Sequence, residues 1–179
     1  MATQYQGKVS DKTDAAWAKL ASRAVRVALT RRDVSYPQLA EGLAQLGLSE
    51  SSRSVEGKVQ RGTFRFTFFL QALFVSCADY PEQWAVSLND ESPWEARAAA
   101  VIKAELSLCP WLDWTKLSRR LDEIGITILP DALADQITDG TFSAALFFQC
   151  ATVCRFGGLG LFLDASDLHM AALVGASAV

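Results

Sequence analysis

The chain has 179 residues, half of them hydrophobic, and its 17 basic and 20 acidic side chains give a net charge of −3. This length suits one ordinary domain or two small ones, and the apolar fraction is large enough to form a core, which excludes a disordered chain. The longest apolar runs fall short of the ~20 residues of a membrane-spanning helix, and one histidine with four cysteines argues against histidine-rich metal sites and disulfide scaffolds.

The first 13 residues are polar and lack the apolar segment of a secretory signal, so we expect a tail and a cytoplasmic protein. A first helix follows. Its apolar positions recur at spacings of three and four residues and are Trp17, Leu20, Ala21, Ala24 and Ala28. This is the period of one buried helical face, and Lys19, Arg23 and Arg26 fall on the other side.

Two short helices are predicted next. Ser35 and Gln38 have the spacing of a capping box, Pro37 lies in the first turn, and helix two ends at Gly47. Its buried stripe is Leu39, Leu43 and Leu46. Helix three begins among the N-cap hydroxyls of residues 49–52 and ends at Gly62. Val55 and Val59 are one turn apart on the predicted inner face of helix three.

A strongly apolar stretch, Phe64 to Phe74, predicts helix four, and the whole pattern then recurs. Shifting the sequence by 78 residues aligns eight identities, which are Leu39, Leu43, Gly47, Gly62, Thr63, Phe64, Phe69 and Gln71 on Leu117, Leu121, Gly125, Gly140, Thr141, Phe142, Phe147 and Gln149. The second copy predicts helices at residues 94–106, 113–124, 129–138 and 142–153. A tandem repeat is therefore expected.

The repeat divides the chain into five parts. These are a polar tail (1–13), repeat one (14–77), a linker with turn-forming residues (78–92), repeat two (93–154) and a C-terminal extension (155–179). In the extension, Ser166 is expected to cap a short apolar helix from Asp167 to Val174, which would pack on the repeats or on a second subunit.

Helix two, the turn at residues 47–49 and helix three resemble the lambda-repressor-like helix-turn-helix superfamily. The strings at residues 34–40, 61–64 and 68–71 are more narrowly similar to a small bacterial domain family of unassigned function with the same pattern. These motifs are mostly core and turn residues, so they specify a fold better than an activity. In the superfamily, helix three enters the DNA major groove, which implies contacts by Ser51, Ser52, Arg53, Lys58 and Arg61.

Charge separates the two copies. Residues 16–77 carry nine basic and four acidic side chains, whereas residues 93–154 carry five basic and eight acidic ones. The nucleic-acid-binding candidates in repeat one are Arg23, Arg26, Ser51, Ser52, Arg53, Lys58, Arg61 and Arg65. Cations that displace counterions from phosphates dominate nucleic-acid affinity, so repeat one could bind DNA, or RNA, and repeat two could not. The alternative is that these cations form an ordinary solvated face.

Repeat two carries Asp131, Asp135 and Asp139 on one predicted helical face. The shift aligns them with Arg53, Gly57 and Arg61. A solvated face is one interpretation. The others are a docking surface for a basic protein, an imitation of DNA phosphates, or pairing with repeat one of another copy.

Three other sequence patterns do not indicate a metal, catalytic or binding site. The cysteines lack the paired spacing of a zinc site and are expected to be small buried residues. Ser166, Asp167 and His169 are too close in sequence to form a catalytic relay. Trp84, Trp94, Trp111 and Trp114 are expected in a core between the repeats.

The sequence therefore predicts an all-α protein of two fused helix-turn-helix-like repeats with a helical C-terminal extension. The expected function is non-enzymatic, without a cofactor: a DNA-binding regulator in which repeat one contacts DNA and repeat two, with the extension, supports assembly with a homodimer mate or another protein. The alternative is a protein-interaction adapter, complex subunit or inhibitor that uses the acidic face of repeat two.

Overall fold

A computed structural model of the protein describes residues 11–177. They fold into α-helices, as predicted, joined by short turns. The ten helices of this range are α1 (Asp11–Arg31), α2 (Tyr36–Gln45), α3 (Ser52–Arg61), α4 (Phe66–Val75), α5 (Ala85–Leu88), α6 (Trp94–Ser107), α7 (Trp114–Asp122), α8 (Pro130–Asp139), α9 (Ala144–Cys154) and α10 (Ala165–Ala176). Helices α1–α4 form repeat one and α6–α9 form repeat two.

The predicted helix boundaries of repeat one follow from local chemistry. The capping box at the start of α2 is present, because the Gln38 amide donates to the Ser35 hydroxyl and the Ser35 amide donates to the Gln38 side chain over 2.8 Å. Helix α3 ends at Gly62, which adopts a left-handed conformation with φ of 69°. Gly140 ends α8 in the same way, so both copies use the same stop signal.

Some boundaries differ from the prediction. Helix α2 ends at Gln45 rather than at Gly47, so the connection to α3 spans residues 46–51. Helix α1 begins at Asp11, inside the predicted tail, and Thr13 is already buried; the other tail residues, 1–10, lie outside the described residues. The linker contains a 3₁₀ turn at Glu82–Trp84 and the short helix α5. Ser166 does not cap the last helix, because α10 begins at Ala165 after Asp164.

The first helix of each repeat packs on both repeats. Helix α1 packs on α9 of the other repeat, and α6 packs correspondingly on α4. Between them the chain forms one antiparallel bridge, in which the Phe66 amide donates to the Phe142 carbonyl and the Ala144 amide donates to the Phe64 carbonyl, each over 3.0 Å. Under the 78-residue shift, Phe64 corresponds to Phe142 and Phe66 to Ala144, so the two hydrogen bonds are equivalent to each other. The repeats are therefore related by a pseudo-two-fold axis that passes between Arg65 and Ser143.

Aromatic side chains fill the space along this axis. The Phe66 ring is stacked between rings of repeat two, with centroids 5.3 Å from Phe142 and 4.1 Å from Phe147. Trp84 from the linker meets Phe66 and Phe147 edge to face. The indole of Trp84 also donates to the buried carboxylate of Glu105 over 2.7 Å. The linker is thus part of the shared core.

The prediction for the tryptophans is only partly right. Trp84 is buried and Trp94 and Trp114 are partly buried, whereas Trp111 is largely exposed. It precedes α7 in a turn and lies beside the partly buried Cys154 rather than between the repeats.

The C-terminal extension breaks the pseudo-symmetry. Helix α10 packs on α1 and α9, whereas the corresponding place on α6 is occupied by the 3₁₀ turn and the short helix α5 of the linker. The contact with repeat two is close, since a Cβ atom added to Gly175 would lie 1.7 Å from the Ile124 carbonyl oxygen. Only a residue without a side chain fits there.

None of the helices within the described range is long and apolar enough to cross a bilayer.

Phe66→Ala tests the shared core. Phe66 is fully buried, so we expect its truncation to lower the free energy of unfolding by about 3–5 kcal/mol. Because its partners belong to repeat two, both repeats should still unfold in one transition, with coincident urea curves from circular dichroism and tryptophan fluorescence. Val86→Ala, at a side chain that is 85% exposed, should change stability by less than about 0.5 kcal/mol. Two separate transitions would contradict the shared core.

Gly62→Ala and Gly47→Ala form a matched pair at left-handed positions. A Cβ atom at Gly62 would lie 1.8 Å from the Ala18 carbonyl oxygen, whereas one at Gly47 meets nothing within 4 Å. Both variants lose about 1–2 kcal/mol to backbone strain, and Gly62→Ala should lose about 1–3 kcal/mol more to the clash. Equal losses of unfolding free energy, measured by urea denaturation, would show that α1 can shift at Ala18 and relieve the clash without a loss of stability.

Candidate nucleic-acid interface

Helix α3 has one buried side and one open side. Val55 and Val59 are fully buried and fix the helix against its own repeat, as predicted. On the opposite side Arg53, Gln60 and Arg61 are exposed. Arg53 and Arg61 are about two turns apart, so this side presents cationic groups along most of the helix.

The open side of α3 borders α1 across a surface groove of about 570 Å³. Lys19 and Arg26 from α1 line it together with Arg61 from α3. The predicted candidates Arg26 and Arg61 are therefore brought together. The polar lining also includes Ser22, Tyr36, Glu56 and Gln60, and Glu56 is its one carboxylate.

Lys19 was not among the predicted site residues. It lies seven residues before Arg26, which places both on one side of α1. The sequence pattern identified that side as polar, but packing of α1 on α3 is what makes it a wall of this groove.

Two predicted contacts, Ser51 and Ser52, lie at the start of α3. The Ser51 hydroxyl accepts a hydrogen bond from the Ser54 amide over 3.1 Å and caps the helix. Ser52 is the first helical residue and is half-buried. The capping role accounts for Ser51 without a ligand.

Lys58 is separated from the other cations. Its ammonium group forms an ion pair with Glu50 and lies 4.9 Å from the centroid of the Phe68 ring. It is five residues from Arg53 and therefore points to a different side of α3. The hydrogen bond from Lys58 also lowers the pKa of the Glu50 carboxyl group, and a bond from Ser54 adds to the effect. Lys58 thus holds α3 to the preceding turn.

Arg23 and Arg65 occupy two further environments. The Arg23 guanidinium forms an ion pair with Asp167 of α10, so the extension partly neutralises it. Arg65 is exposed beside the pseudo-two-fold axis, where its backbone pairs with Ser143. Of the eight predicted contacts, Arg26, Arg53 and Arg61 remain on the surface formed by α1 and α3. We call this surface, with Lys19, the α1/α3 face.

Repeat two presents the opposite charge at the equivalent place. Leu133 and Ile137 of α8 are fully buried, in the positions of Val55 and Val59. Asp131, Asp135 and Asp139 are exposed, and none forms an ion pair with the residues that the structure describes. The pseudo-two-fold axis therefore relates a cationic helix face to an anionic one.

Within residues 11–177, no group of three or more His, Cys, Asp or Glu side chains is placed so that it could hold a metal ion. Cys109 and Cys150 are buried, as expected, and Cys154 is half-buried, with burial raising its thiol pKa to about 12. The prediction of burial is wrong for Cys77, which is exposed in the turn after α4. Asp167 is engaged with Arg23 rather than with His169.

The amino-acid sequence matches the model of one protein family. The sequence model of a domain of unknown function, DUF6471, matches the chain twice, at residues 17–78 and 94–156. The chain belongs to this family. The predicted tandem duplication is thereby confirmed. No curated protein and no solved structure matches the chain.

The two DUF6471 copies share several identical buried residues and carry opposite charges at equivalent exposed positions. Identical pairs include Phe64 with Phe142 and Phe69 with Phe147, all buried. Gly62 and Gly140 are also equivalent, and an added Cβ atom at either would collide with the backbone of helix one of its own repeat. Family membership thus accounts for the fold, while the charged faces belong to the individual copies.

Glu50→Gln tests how Lys58 is held. The folded-state pKa of Glu50 lies below its ordinary value of 4.5, so its ionised form stabilises the fold above that pH, and this contribution is lost as the pH falls through the lower folded value. At pH 7 the variant should be less stable than wild type by about 1 kcal/mol. Urea denaturation at pH 7, 5 and 3 should show the difference shrinking towards acid pH.

Glu41→Gln is the control for that series, since Glu41 is exposed and has no ion pair within the described part of the chain. Its stability should follow wild type at all three pH values. A Glu50→Gln deficit that stays constant from pH 7 to pH 3 would contradict the ion pair.

Proposed function

We propose that the protein is a non-enzymatic, DNA-associated regulator in which repeat one contacts the duplex and repeat two supports assembly. One observation carries the proposal: Lys19, Arg26 and Arg61 line one groove with a single carboxylate, Glu56, and Arg53 is exposed about two turns before Arg61 on α3, while the equivalent helix of repeat two is acidic. A surface of this kind favours phosphates in one half of the molecule only.

The arrangement of α2 and α3 supports the same proposal. Gly47, with φ of 84°, lies in the connection between them at residues 46–51, and α3 presents its polar side to solvent while its valines face inward. This resembles the lambda-repressor-like helix-turn-helix. In that superfamily the second helix of the pair enters the major groove, which here would bring Arg53 to the DNA.

The charge reversal limits how many sites one chain offers. Palindromic readers insert two recognition helices about 34 Å apart, but the pseudo-symmetric partner of α3 carries Asp131, Asp135 and Asp139 and would be repelled by phosphate. A chain therefore contributes one DNA-contacting helix. Recognition of two half-sites would require a homodimer formed through repeat two or the C-terminal extension.

Arg53→Ala combined with Arg61→Ala tests the interface. We expect wild type to bind duplex DNA with an affinity that falls as salt rises, and the double variant to bind at least tenfold more weakly. The slope of log K against log salt should decrease by about 0.9 for each phosphate contact that is lost. Fluorescence anisotropy with a labelled duplex, between 50 and 300 mM salt, measures both quantities, and a single-stranded RNA of equal length distinguishes the nucleic acids.

The matched control is Lys103→Ala combined with Arg119→Ala, which removes two exposed cations from repeat two. It changes the net charge equally and should leave DNA affinity within twofold of wild type. The proposal fails if both double variants behave alike, because binding would then reflect net charge rather than the α1/α3 face.

A second candidate function is a protein-interaction adapter or inhibitor. The observation that favours it is the row of three exposed aspartates on α8, which have no cationic partner among residues 11–177. The DNA titration separates the two functions, since an adapter would not bind the duplex even as wild type.

A further inference from the structure

A second groove lies on the other side of α1, between α1 and α10. It has a volume of about 790 Å³, and the larger part of its lining is apolar. Leu20 and Val27 of α1 and Met170 and Val174 of α10 contribute to its floor and walls. This groove, which we call the α1/α10 groove, exists because the C-terminal extension covers only part of helix one.

Helix α10 leaves large apolar side chains uncovered beside this groove. Leu168, Ala171, Ala172 and Gly175 form its buried side. Met170 is nevertheless 59% exposed and Val174 38% exposed. They are one helical turn apart and form a continuous ridge. An uncovered apolar ridge next to a groove is typical of an interaction surface.

The rim of the groove is cationic. Lys19, Arg23, Arg26 and Arg31 line it, against the single carboxylate of Asp167. Asp167 pairs with Arg23, and the Arg31 guanidinium donates to the Leu161 carbonyl, which leaves the charge of Arg31 uncompensated. The groove therefore combines an apolar floor with a net positive edge.

These features restrict what can occupy the groove. A second copy docked about a two-fold axis would bring two cationic rims together. Residues 1–10 of the same chain contain one lysine and no acidic residue, so their charge does not complement the rim. Small-molecule sites usually bury 70–90% of their ligand, whereas this groove is open and its Met170 side is largely exposed.

The length and shape of the groove suit a helix. Its lining on α1 runs from Ala16 to Arg31, which is about 22 Å at 1.5 Å per residue. The contacts of Arg23 with Asp167 and of Thr13 with Gly175 show that α1 and α10 run antiparallel beside each other. A hydrophobic groove of this kind is a common receptor for an amphipathic helix, which lays its apolar side into the groove. Negative residues along the edges of that helix would meet the cationic rim.

We propose that the α1/α10 groove binds an acidic amphipathic helix of a partner protein. The apolar side of that helix packs between Met170, Val174 and Leu20. Its carboxylates face Lys19, Arg23 and Arg26. This site shares Lys19 and Arg26 with the α1/α3 face, but its apolar floor lies outside that face, and the proposal does not depend on DNA binding.

The probe for the test is an N-acetylated, fluorescein-labelled peptide of 18 residues, with leucine at spacings of three and four and glutamate at most other positions. Met170→Glu combined with Val174→Glu should weaken its binding to the full chain at least tenfold, because carboxylates then line the apolar ridge. Met170→Ser combined with Val174→Ser is a second variant without added charge, and should weaken binding at least threefold. Far-ultraviolet circular dichroism checks that each variant is folded.

Arg53→Ala combined with Arg61→Ala is the matched control, because it removes cations outside the groove. Its peptide affinity should stay within twofold of wild type, and a peptide with lysine in place of glutamate should not bind. The chain has two methionines, Met1 and Met170, so methyl-labelled NMR gives a direct readout: the Met170 signal should shift on binding.

Three results would overturn the proposal. Absence of peptide binding by wild type is the first. Equal loss in the control variant is the second, since it indicates non-specific attraction to charge. The third is binding to vesicles of phosphatidylglycerol, but not to the peptide, that is lost in Met170→Glu with Val174→Glu; the groove would then face an anionic lipid surface.

Discussion

The two reciprocal hydrogen bonds between residues 64–66 and 142–144 mark the contact on which the rest of the structure depends. They fix the pseudo-two-fold axis, and around them Phe66 stacks on Phe142 and Phe147. The first helix of each repeat also packs on the fourth helix of the other. Neither repeat therefore has a complete core by itself, and the chain behaves as a dimer of domains whose subunits have been joined covalently.

This constraint affects core and surface positions differently. A change at Phe66 or Phe147 disturbs both repeats at once, because their rings are in direct contact. A change at Arg53 or Asp131 affects only an exposed helix side. Covalent fusion also removes the requirement that both subunits be identical, which a homodimer cannot avoid. The pseudo-symmetric molecule can thus carry opposite charges on equivalent helices.

Much of the fold could be read from the sequence because its signals are local. The capping box at Ser35, the left-handed Gly62 and the spacing of Val55 and Val59 each act within one or two turns of helix. The glycine and the apolar spacing recur in the second repeat at Gly140, Leu133 and Ile137. The candidate site could be read only in part. The engagement of Lys58 by Glu50 and of Arg23 by Asp167 depends on where long side chains meet other elements, and Asp167 is 144 residues from Arg23. No period or spacing encodes a contact over that distance.

Helix α1 links the two proposed sites, because Lys19 and Arg26 line both the α1/α3 face and the α1/α10 groove. A carboxylate-bearing helix in the groove would neutralise cations that phosphates also need. Occupation of either site must then weaken the other, and by thermodynamic linkage the factor is the same in both directions. An acidic partner helix would in this way act as an antagonist of nucleic-acid binding, without contacting α3 or requiring a change of fold. In this proposal the C-terminal extension has a defined part, since α10 forms one wall of the groove.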